Sequence, residues 1–250
     1  KKFVLPNDYP DMPSSLMHIY LIEAGPRLLA GMSEESSAHA EQFLREMGVN
    51  ILLNKRVVDY RDHKVVLEDG TEIATRTFIW VSGVTGVTIG NLDASLIGRG
   101  GRIKVDSFNR VEGMNNVFAI GDQCIQLADE NYPNGHPQLA QVAIQQGELL
   151  AKNLIRMEKG QEMKPFHYRN LGSMATVGRN RAVAEFNKVK MQGWFAWIMW
   201  LVVHLRSILG VRNKVIVLLN WIWNYLTYDQ SMRMIVYARK AKEIRDREII

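Results

Sequence analysis

The residues of this chain whose types and spacing could do chemistry follow one short apolar run. That run, Val117 to Ile120, follows Asn115 and Asn116 and leads into Gly121 and Asp122. A carboxylate with two acceptor oxygens therefore follows a glycine that permits a sharp turn and a close backbone approach. Further along, Gln141 and Gln145 stand four residues apart, which stacks two amide side chains on one face of a helix. The four residues suit a hydroxyl-rich ligand held between a strand end and a helix.

Two elements must position these groups. We predict a buried strand over Val117–Ile120 and a helix over Pro137–Met157, because proline is tolerated in a first helical turn. The helix would direct its positive N-terminal end at an electron-rich ligand beside the carboxylate. Each half of the pattern also has an ordinary explanation, a simple turn for Gly-Asp and a solvated helix face for the glutamines. Their order and spacing together favour a binding site.

The first third of the chain carries the alternation of an α/β fold. We predict strands over Met17–Ala24, Val49–Asn54 and Thr77–Val81, a helix that begins after Ser33 and ends at Gly48, and a small meander over 57–75 with a hairpin turn at Asp69-Gly70. This strand–helix–strand order is the later part of a dinucleotide-binding fold.

Three residues at predicted strand ends are candidates for binding a nucleotide. Glu23 lies where a carboxylate accepts hydrogen bonds from both hydroxyls of an adenosine ribose and repels a 2′-phosphate, which favours NADH over NADPH. Ser82 and Gly83 follow the next strand, where ligands bind in open α/β sheets, and glycine permits close approach of a nicotinamide. The alternatives are a solvated strand-end glutamate and a plain turn.

Composition describes a folded protein whose charge is unevenly distributed. Hydrophobic residues make up 47% of the 250 residues and charged residues 23%. Residues 164–250 contain 15 Lys and Arg against 5 Asp and Glu, whereas the preceding residues are slightly acidic. A basic tail could also bind nucleic acid, but no nucleic-acid motif accompanies it, and we expect no such partner. The single cysteine, Cys124, excludes a disulfide framework, a thiolate zinc site and a redox-active cysteine pair within this chain.

The basic tail also contains two apolar segments, Trp194–Val203 and Val215–Leu226. Neither reaches the roughly 20 residues that span a bilayer. Aromatic residues typical of the membrane–water boundary occur in both segments, and basic residues that suit anionic headgroups lie between them. The aromatic residues are Trp194, Trp197, Trp200, Trp221, Trp223, Tyr225 and, just after the second segment, Tyr228; the basic ones are Arg206, Arg212 and Lys214. We predict helices that lie flat on a membrane, with a pair of core helices or a dimer interface as the alternative.

The chain lacks a glycine-rich pyrophosphate loop of the form Gly-x-Gly-x-x-Gly. We therefore predict that it is the C-terminal portion of a longer protein that supplies two such loops upstream. A hairpin is expected over 172–186.

The stretch from Gly121-Asp122 to Ala140-Gln141-Val142-Ala143-Ile144-Gln145-Gln146 resembles the flavin signature of type II NADH dehydrogenases, the single-subunit NADH:quinone oxidoreductases. The resemblance implies an α/β fold built from two dinucleotide-binding units, with FAD and NADH as cofactors. It divides the chain into residues 1–97, part of an NADH-binding domain, 98–163, the end of an FAD-binding domain, and 164–250, a membrane-associated domain. It implies that Gly121 and Asp122 hold the ribityl chain, that Ala140 and Gln141 face the flavin ring, and that Gln141 and Gln145 line a quinone pocket. His136 would act as a proton donor or, as the pattern favours, cap its loop.

The implied activity is hydride transfer from NADH to FAD and two-electron reduction of a membrane quinone, without proton pumping and without a metal site. The implied location is peripheral, on the cytoplasmic face of a bacterial inner membrane, and a homodimer is compatible with it. Two alternatives stay open. One is a flavoprotein reductase of the ferredoxin or rubredoxin type, which an interfacial tail disfavours; the other is a membrane-binding fragment that does not hold FAD by itself.

Overall fold

The structure is a computed structural model that describes residues 11, 13–87, 89–187 and 189–227. Tyr228, which is predicted to lie at the membrane–water boundary, is outside these residues. Strands occur at β1 Ile19–Ile22, β2 Val49–Leu52, β3 Val57–Arg61, β4 Lys64–Leu67, β5 Glu72–Ala74, β6 Ile103–Val105, β7 Cys124–Gln126, β8 Ser173–Thr176, β9 Ala182–Phe186 and β10 Val189–Gln192. Helices occur at α1 Glu34–Glu46, α2 Ala140–Glu158, α3 Gly193–Ser207 and α4 Val211–Thr227.

Strands β1 and β2 form a parallel pair, joined by α1. The Ser33 hydroxyl accepts a hydrogen bond from the Ser36 amide and caps α1, and Ala40 on its inner face is 1% exposed. Strands β3, β4 and β5 follow as an antiparallel meander, with Gly70 in the turn at a φ of +83°. The predicted strand–helix–strand order and its hairpin are confirmed.

The predicted strand over Thr77–Val81 is wrong. This segment forms no strand, and Ile79 and Val81 are 73% and 89% exposed. A strand needs a neighbour for its backbone groups, and within the described residues no strand pairs with this segment. Instead the Phe78 ring stacks on Tyr60 of β3 at 4.9 Å between centroids, so apolar sequence character alone was misleading here.

The middle of the chain contains the parallel pair β6 and β7 and the long helix α2. Its core is made by Ile103, Val105, Val111, Ala119 and Cys124. The predicted strand over Val117–Ile120 is wrong, because only Phe118 forms a bridge, with Arg110. Ile120 is extended immediately before Gly121, and Ala119 packs in the same core cluster as Cys124 of β7.

Helix α2 begins at Ala140 and not at Pro137 as predicted. Leu139 is extended, with φ −131° and ψ 143°, so the helix cannot include the residues before it. The proline therefore belongs to a lead of three residues, 137–139, that brings the chain to the helix.

The last part is the antiparallel sheet β8–β9–β10 with helices α3 and α4. The expected hairpin is confirmed as β8 and β9, and β10 is an additional strand. Helix α3 packs on the sheet through Ala196, which lies fully buried against Ala182 and Ala184. No helix in the described part of the chain is long and apolar enough to cross a membrane.

The last sheet is fastened to α1. Glu185 Oε1 on β9 accepts hydrogen bonds from the Ser33 amide at 3.0 Å and from the Ser33 hydroxyl at 2.5 Å. At the other end of the helix, Arg181 Nη1 pairs with Glu46 Oε2 at 2.6 Å. These contacts fix the tail sheet against the first α/β unit.

Candidate functional site

The turn at Gly121 and Asp122 is the centre of the site. Gly121 has a φ of +65°, and a Cβ placed there would lie 3.1 Å from Ala143 Cβ on α2. Glycine is therefore needed both for the backbone conformation and for the approach of the turn to the helix. Asp122 is exposed, and its carboxylate has no hydrogen bond or ion pair among the described residues. Both of its oxygens are free to accept hydrogen bonds from a ligand.

Gln146 holds this turn against α2. Its Oε1 accepts a hydrogen bond from the Gly121 amide at 2.6 Å, and its side chain contacts Cys124 Sγ on both amide atoms. Gln146 is 1% exposed, and it stands one helical turn after the buried Val142. We did not predict this residue from the sequence. The available signal was an amide on the apolar stripe of the helix, where a polar side chain needs a partner.

The first turn of α2 faces the same region. Gln138 Nε2 donates to the Asp122 carbonyl at 3.3 Å, so the lead to the helix touches the turn directly. The backbone amides of Ala140 and Gln141 lie in the first turn, where helix geometry supplies no intrahelical acceptor. They add donors and the positive end of the helix dipole next to the Asp122 carboxylate.

The side chains of Gln141 and Gln145 bind a backbone segment of the chain. Gln141 donates to the Gly172 carbonyl at 3.0 Å and accepts from the Leu171 amide at 3.1 Å. Gln145 donates to the Arg169 carbonyl at 2.9 Å and accepts from the amide of the same residue at 3.1 Å. Both amides therefore act as paired hydrogen-bonding groups that fasten residues 169–172 to the helix.

Glu23 lies at the C-terminal end of the parallel strand β1, as predicted. Its backbone amide continues the ladder to the Leu52 carbonyl at 2.9 Å. Its Oε1 accepts from the Gly25 amide at 2.7 Å, which orients the carboxylate and leaves Oε2 without a hydrogen bond in the described residues. This is the position at which a dinucleotide fold presents a carboxylate to ribose hydroxyls.

Ser82 and Gly83 do not end a strand, which corrects the prediction. They lie in an exposed irregular segment, and Gly83 has a φ of +81°. The continuation of this segment is fixed to the turn that carries Asp122. The Val87 amide donates to Gln123 Oε1 at 2.9 Å, and Gln123 Nε2 donates back to the Val87 carbonyl at 2.5 Å. The structure thus connects the segment after Gly83 to the Gly121–Gln123 turn.

Two other polar residues, Cys124 and His136, are buried and contact only protein groups among the described residues. Burial raises the pKa of the Cys124 thiol, so the side chain is a neutral packing group. The His136 ring is buried against Asp129 and not exposed to a ligand, in keeping with the loop-capping alternative. Within the described residues no group of three His, Cys, Asp or Glu side chains could hold a metal ion.

The two last helices present a large apolar surface. Helix α4 has no buried residue, and Leu219, Trp223 and Leu226 on one of its faces are 59%, 57% and 70% exposed. Helix α3 exposes Trp194 and Phe195 at its start. The helices contact each other through tilted aromatic pairs, Trp197 with Tyr225 and Trp200 with Trp221. Neighbouring exposed apolar side chains of this kind are typical of interaction sites.

Comparisons with known proteins agree with this geometry. The model of the pyridine nucleotide-disulphide oxidoreductase family matches residues 13–147, and the model of the NDH2 C-terminal domain matches residues 170–228. The solved structure of NDH2 from Plasmodium falciparum in complex with NADH superposes with a TM-score of 0.79 at 19% identity, covering 89% of this chain and 61% of that one. The α/β dinucleotide-binding fold is thereby confirmed.

Curated relatives match along most of the chain. The type II NADH:quinone oxidoreductase NdhA of Mycobacterium tuberculosis is 32% identical over 247 residues, which is 92% of this chain and 51% of the relative. The mitochondrial internal alternative NAD(P)H-ubiquinone oxidoreductase A1 of Arabidopsis thaliana is 32% identical over 84% of this chain and 44% of the relative. The chain spans about half the length of the curated relatives it matches. The resemblance to type II NADH dehydrogenases is confirmed.

Proposed function

Because the chain belongs to the pyridine nucleotide-disulphide oxidoreductase family, we propose that it forms the C-terminal portion of a type II NADH:quinone oxidoreductase. The full-length protein would oxidise NADH and reduce a membrane quinone without pumping protons. When bound, FAD would supply the redox chemistry, accepting a hydride and releasing two electrons to the quinone. The residues of this chain bind and orient the reactants.

The observation that carries the proposal is the Gly121–Asp122 turn held against α2 by Gln146. The exposed Asp122 carboxylate fits the hydroxyls of a ribityl chain, since both oxygens are free acceptors. The first amides of α2 fit the electron-rich edge of a flavin ring. A Cβ at position 121 would press against Ala143. Because glycine has no side chain, the backbone of the turn packs directly against the helix. These residues therefore suit FAD.

NADH would be bound at the ends of the first α/β unit. The free Oε2 of Glu23 supports hydrogen bonding to ribose hydroxyls, and its charge disfavours a 2′-phosphate. Gly83, and Ser82 beside it, lie in the segment that Val87 fastens to Gln123. We propose that this segment brings the nicotinamide towards the flavin site, where hydride transfer requires close approach of the two rings.

Gln141 and Gln145 are proposed to border the quinone pocket. Their amides fasten residues 169–172 along α2, and this packed segment supports a wall beside the flavin-facing end of the helix. A hydrogen bond from either amide to a quinone carbonyl would require exchange of its backbone partner. We therefore propose that the main role of both amides is to shape the pocket. They would bind quinone directly only if they exchanged their backbone partners for it.

The C-terminal helices would dock the protein on a membrane surface. The exposed apolar face of α4 and the aromatic residues of α3 support burial in the headgroup region. Arg206 near the end of α3, and Arg212 and Lys214 at the start of α4, support contact with anionic lipid. We propose a peripheral location on the cytoplasmic face of a bacterial inner membrane, domain boundaries at 97 and 163, and a homodimer as the assembly to test.

The proposal can be tested on the purified full-length protein and on vesicles that contain a quinone. We expect stoichiometric FAD, bleaching of its absorbance on anaerobic addition of NADH, and NADH oxidation that requires the quinone. A protein that contains no flavin, or whose flavin NADH does not reduce, would refute the proposal. Flavin that NADH reduces but quinone does not reoxidise would instead favour a soluble acceptor.

A further inference from the structure

A buried polar pair lies directly before Pro137 and takes no part in the proposed binding of FAD, NADH or quinone. His136 Nε2 lies 3.0 Å from Asp129 Oδ2, and the two side chains are only 4% and 3% exposed. Aromatic rings surround the imidazole at centroid distances of 5.1, 5.2 and 6.0 Å, those of Tyr132, Phe166 and Tyr168. Burying such a pair costs solvation free energy. We therefore consider whether the pair fixes the geometry of the surrounding chain.

The Asp129 carboxylate is held on both oxygens. Its Oδ1 accepts from the Asn131 amide at 3.0 Å, while Oδ2 faces His136. Burial acts to raise the pKa of Asp129, but the hydrogen bonds from His136 and Asn131 outweigh it and keep this pKa below its ordinary value. The group therefore remains a charged acceptor, and a charged acceptor makes the stronger hydrogen bond to the imidazole.

The backbone of His136 is fixed as well as its ring. Its carbonyl accepts from Arg102 Nη1 at 3.1 Å, and the Arg102 side chain is itself buried. The preceding Gly135 has a φ of +85°, and a Cβ there would lie 2.6 Å from Ile125 Cγ1. His136 thus has a defined position relative to β6 and β7.

Only three residues separate this fixed point from α2. Pro137 has a restricted φ, which shortens the range of paths that the chain can take. Gln138 donates to the Asp122 carbonyl, and Leu139 is extended immediately before the helix. A shift of His136 would therefore move both the contact on Asp122 and the first amides of α2.

We propose that Asp129 and His136 are positioning residues of the flavin site. The pair fixes the start of the lead 137–139 and, through Gln138 and Leu139, sets the spacing between Asp122 and the first turn of α2. The inference rests on the proposed function, since it assigns to these residues the placement of groups that hold FAD. It concerns geometry, so neither side chain needs to touch the cofactor.

The test uses the full-length protein and four variants. Asp129→Asn removes the charge, His136→Leu removes the donor, and His136→Gln retains an Nε2–H donor on a similar reach. Tyr168→Phe is the matched control in the same cluster, because the Tyr168 hydroxyl is buried and has no hydrogen-bond partner among the described residues. The readouts are the visible circular dichroism of bound FAD and the rate of flavin bleaching at saturating NADH, set against the KM for NADH.

We expect Asp129→Asn and His136→Leu to alter the visible circular dichroism and slow bleaching about tenfold, since misplacement by 1 Å can cost about 100-fold. The KM for NADH should change less than the bleaching rate, because Glu23 is oriented by its own strand end, through the Gly25 amide and the Leu52 carbonyl. His136→Gln should recover most of the rate, and Tyr168→Phe should match wild type. If His136→Leu does not fold, the positioning role is tested with Asp129→Asn and His136→Gln alone.

Wild-type spectra and rates in Asp129→Asn would overturn the inference while leaving the proposed function intact. An equal loss in Tyr168→Phe would also overturn it, because packing and not the pair would then be responsible. A wild-type protein without reducible flavin would refute the proposed function and the inference with it.

Discussion

The Gly121 amide donates to Gln146 Oε1 over 2.6 Å, which joins the turn that carries Asp122 to the buried face of α2. This hydrogen bond is short and fully buried on the glutamine side. It ties two groups proposed to bind the same cofactor, a carboxylate at the end of an extended segment and the amides of a helix start. The geometry of the proposed site thus depends on a buried residue, Gln146, to which no role in binding the ligand is assigned.

Replacing Gln146 with Leu should destabilise the full-length protein and lower its FAD content. The partly buried Gly121 amide would lose its acceptor, a loss that costs about 1–3 kcal/mol when the donor is left without a partner. Urea unfolding and the ratio of flavin to protein absorbance measure the two effects. The control is Gln161→Leu, at an exposed position after α2. Equal stability of the two variants would show that the hydrogen bond contributes little.

Replacing Glu23 with Gln should weaken NADH binding and relax the rejection of NADPH. The variant retains an Oε1 acceptor for the Gly25 amide, so the local fold should persist. The lost charge removes a hydrogen-bond partner worth about 1.5–3 kcal/mol, which would raise the KM for NADH by more than about tenfold. Steady-state kinetics with both nucleotides check this, with the exposed Glu112→Gln as the control. Unchanged selectivity would remove Glu23 from the NADH site.

Replacing Gln145 with Ala should impair quinone reduction more than reduction of a soluble dye by NADH. The change removes both hydrogen bonds to Arg169 and loosens the segment that borders the proposed quinone pocket. Each neutral hydrogen bond contributes about 0.5–1.5 kcal/mol, so the wall should become mobile without unfolding the flavin site. Parallel assays with quinone and dye measure the difference. A matched fall of both activities would assign Gln145 to flavin binding or folding.

Replacing Glu185 with Gln should destabilise the protein by about 1 kcal/mol near pH 7, since hydrogen bonds to a charged acceptor are the stronger ones. Burial acts to raise the pKa of Glu185, but hydrogen bonds from Ser33 and Ser36 hold it below its ordinary value. A depressed folded-state pKa means that the stabilisation is present above the unfolded pKa and is lost as the pH falls through the folded one. The gap between wild type and variant should therefore narrow below about pH 4.3, the ordinary glutamate value.

Chemical unfolding at pH 7 and at acidic pH measures this gap, with Glu162→Gln as an exposed control. A gap of the same size at both pH values would show that the charge of Glu185 does not stabilise the contact between β9 and α1.

Replacing Leu219, Trp223 and Leu226 together with Gln should detach the protein from vesicles. All three lie on the exposed face of α4, which has no buried residue, so the fold should tolerate the change. Deleting the whole tail from Gly193 onward would be less informative, because the deletion would also remove Ala196 of α3, which belongs to the core of the sheet. Co-sedimentation with anionic vesicles is the assay.

High salt should weaken wild-type binding only partly, since each basic contact is worth about 1 kcal/mol and apolar burial is not screened. Val58→Gln, an equally exposed apolar position on β3, is the control. Equal pelleting of wild type and the triple variant would defeat the docking model and point to an interface between copies of the chain.

Features set by neighbouring residues could be predicted from the sequence. The Ser33 cap of α1, the turn at Gly70 and the position of Glu23 after β1 depend on short-range hydrogen bonds and backbone preferences. The flavin signature also placed Gly121 and Asp122 at a turn, because glycine adopts a positive φ without strain.

Features that depend on partners distant in the chain were settled by the tertiary structure. Thr77–Val81 has the composition of a strand but forms none, since no strand in the described residues pairs with it. The periodicity of α2 identified Gln141 and Gln145 as amides on one face, but only the folded chain shows that both bind the backbone of residues 169–172. The contact of His136 with Asp129, and that of Gln146 with Gly121, likewise arise where separate segments meet in space. Local sequence determines backbone conformation, whereas the hydrogen-bond partner of a buried polar group is decided by the packing of the whole chain.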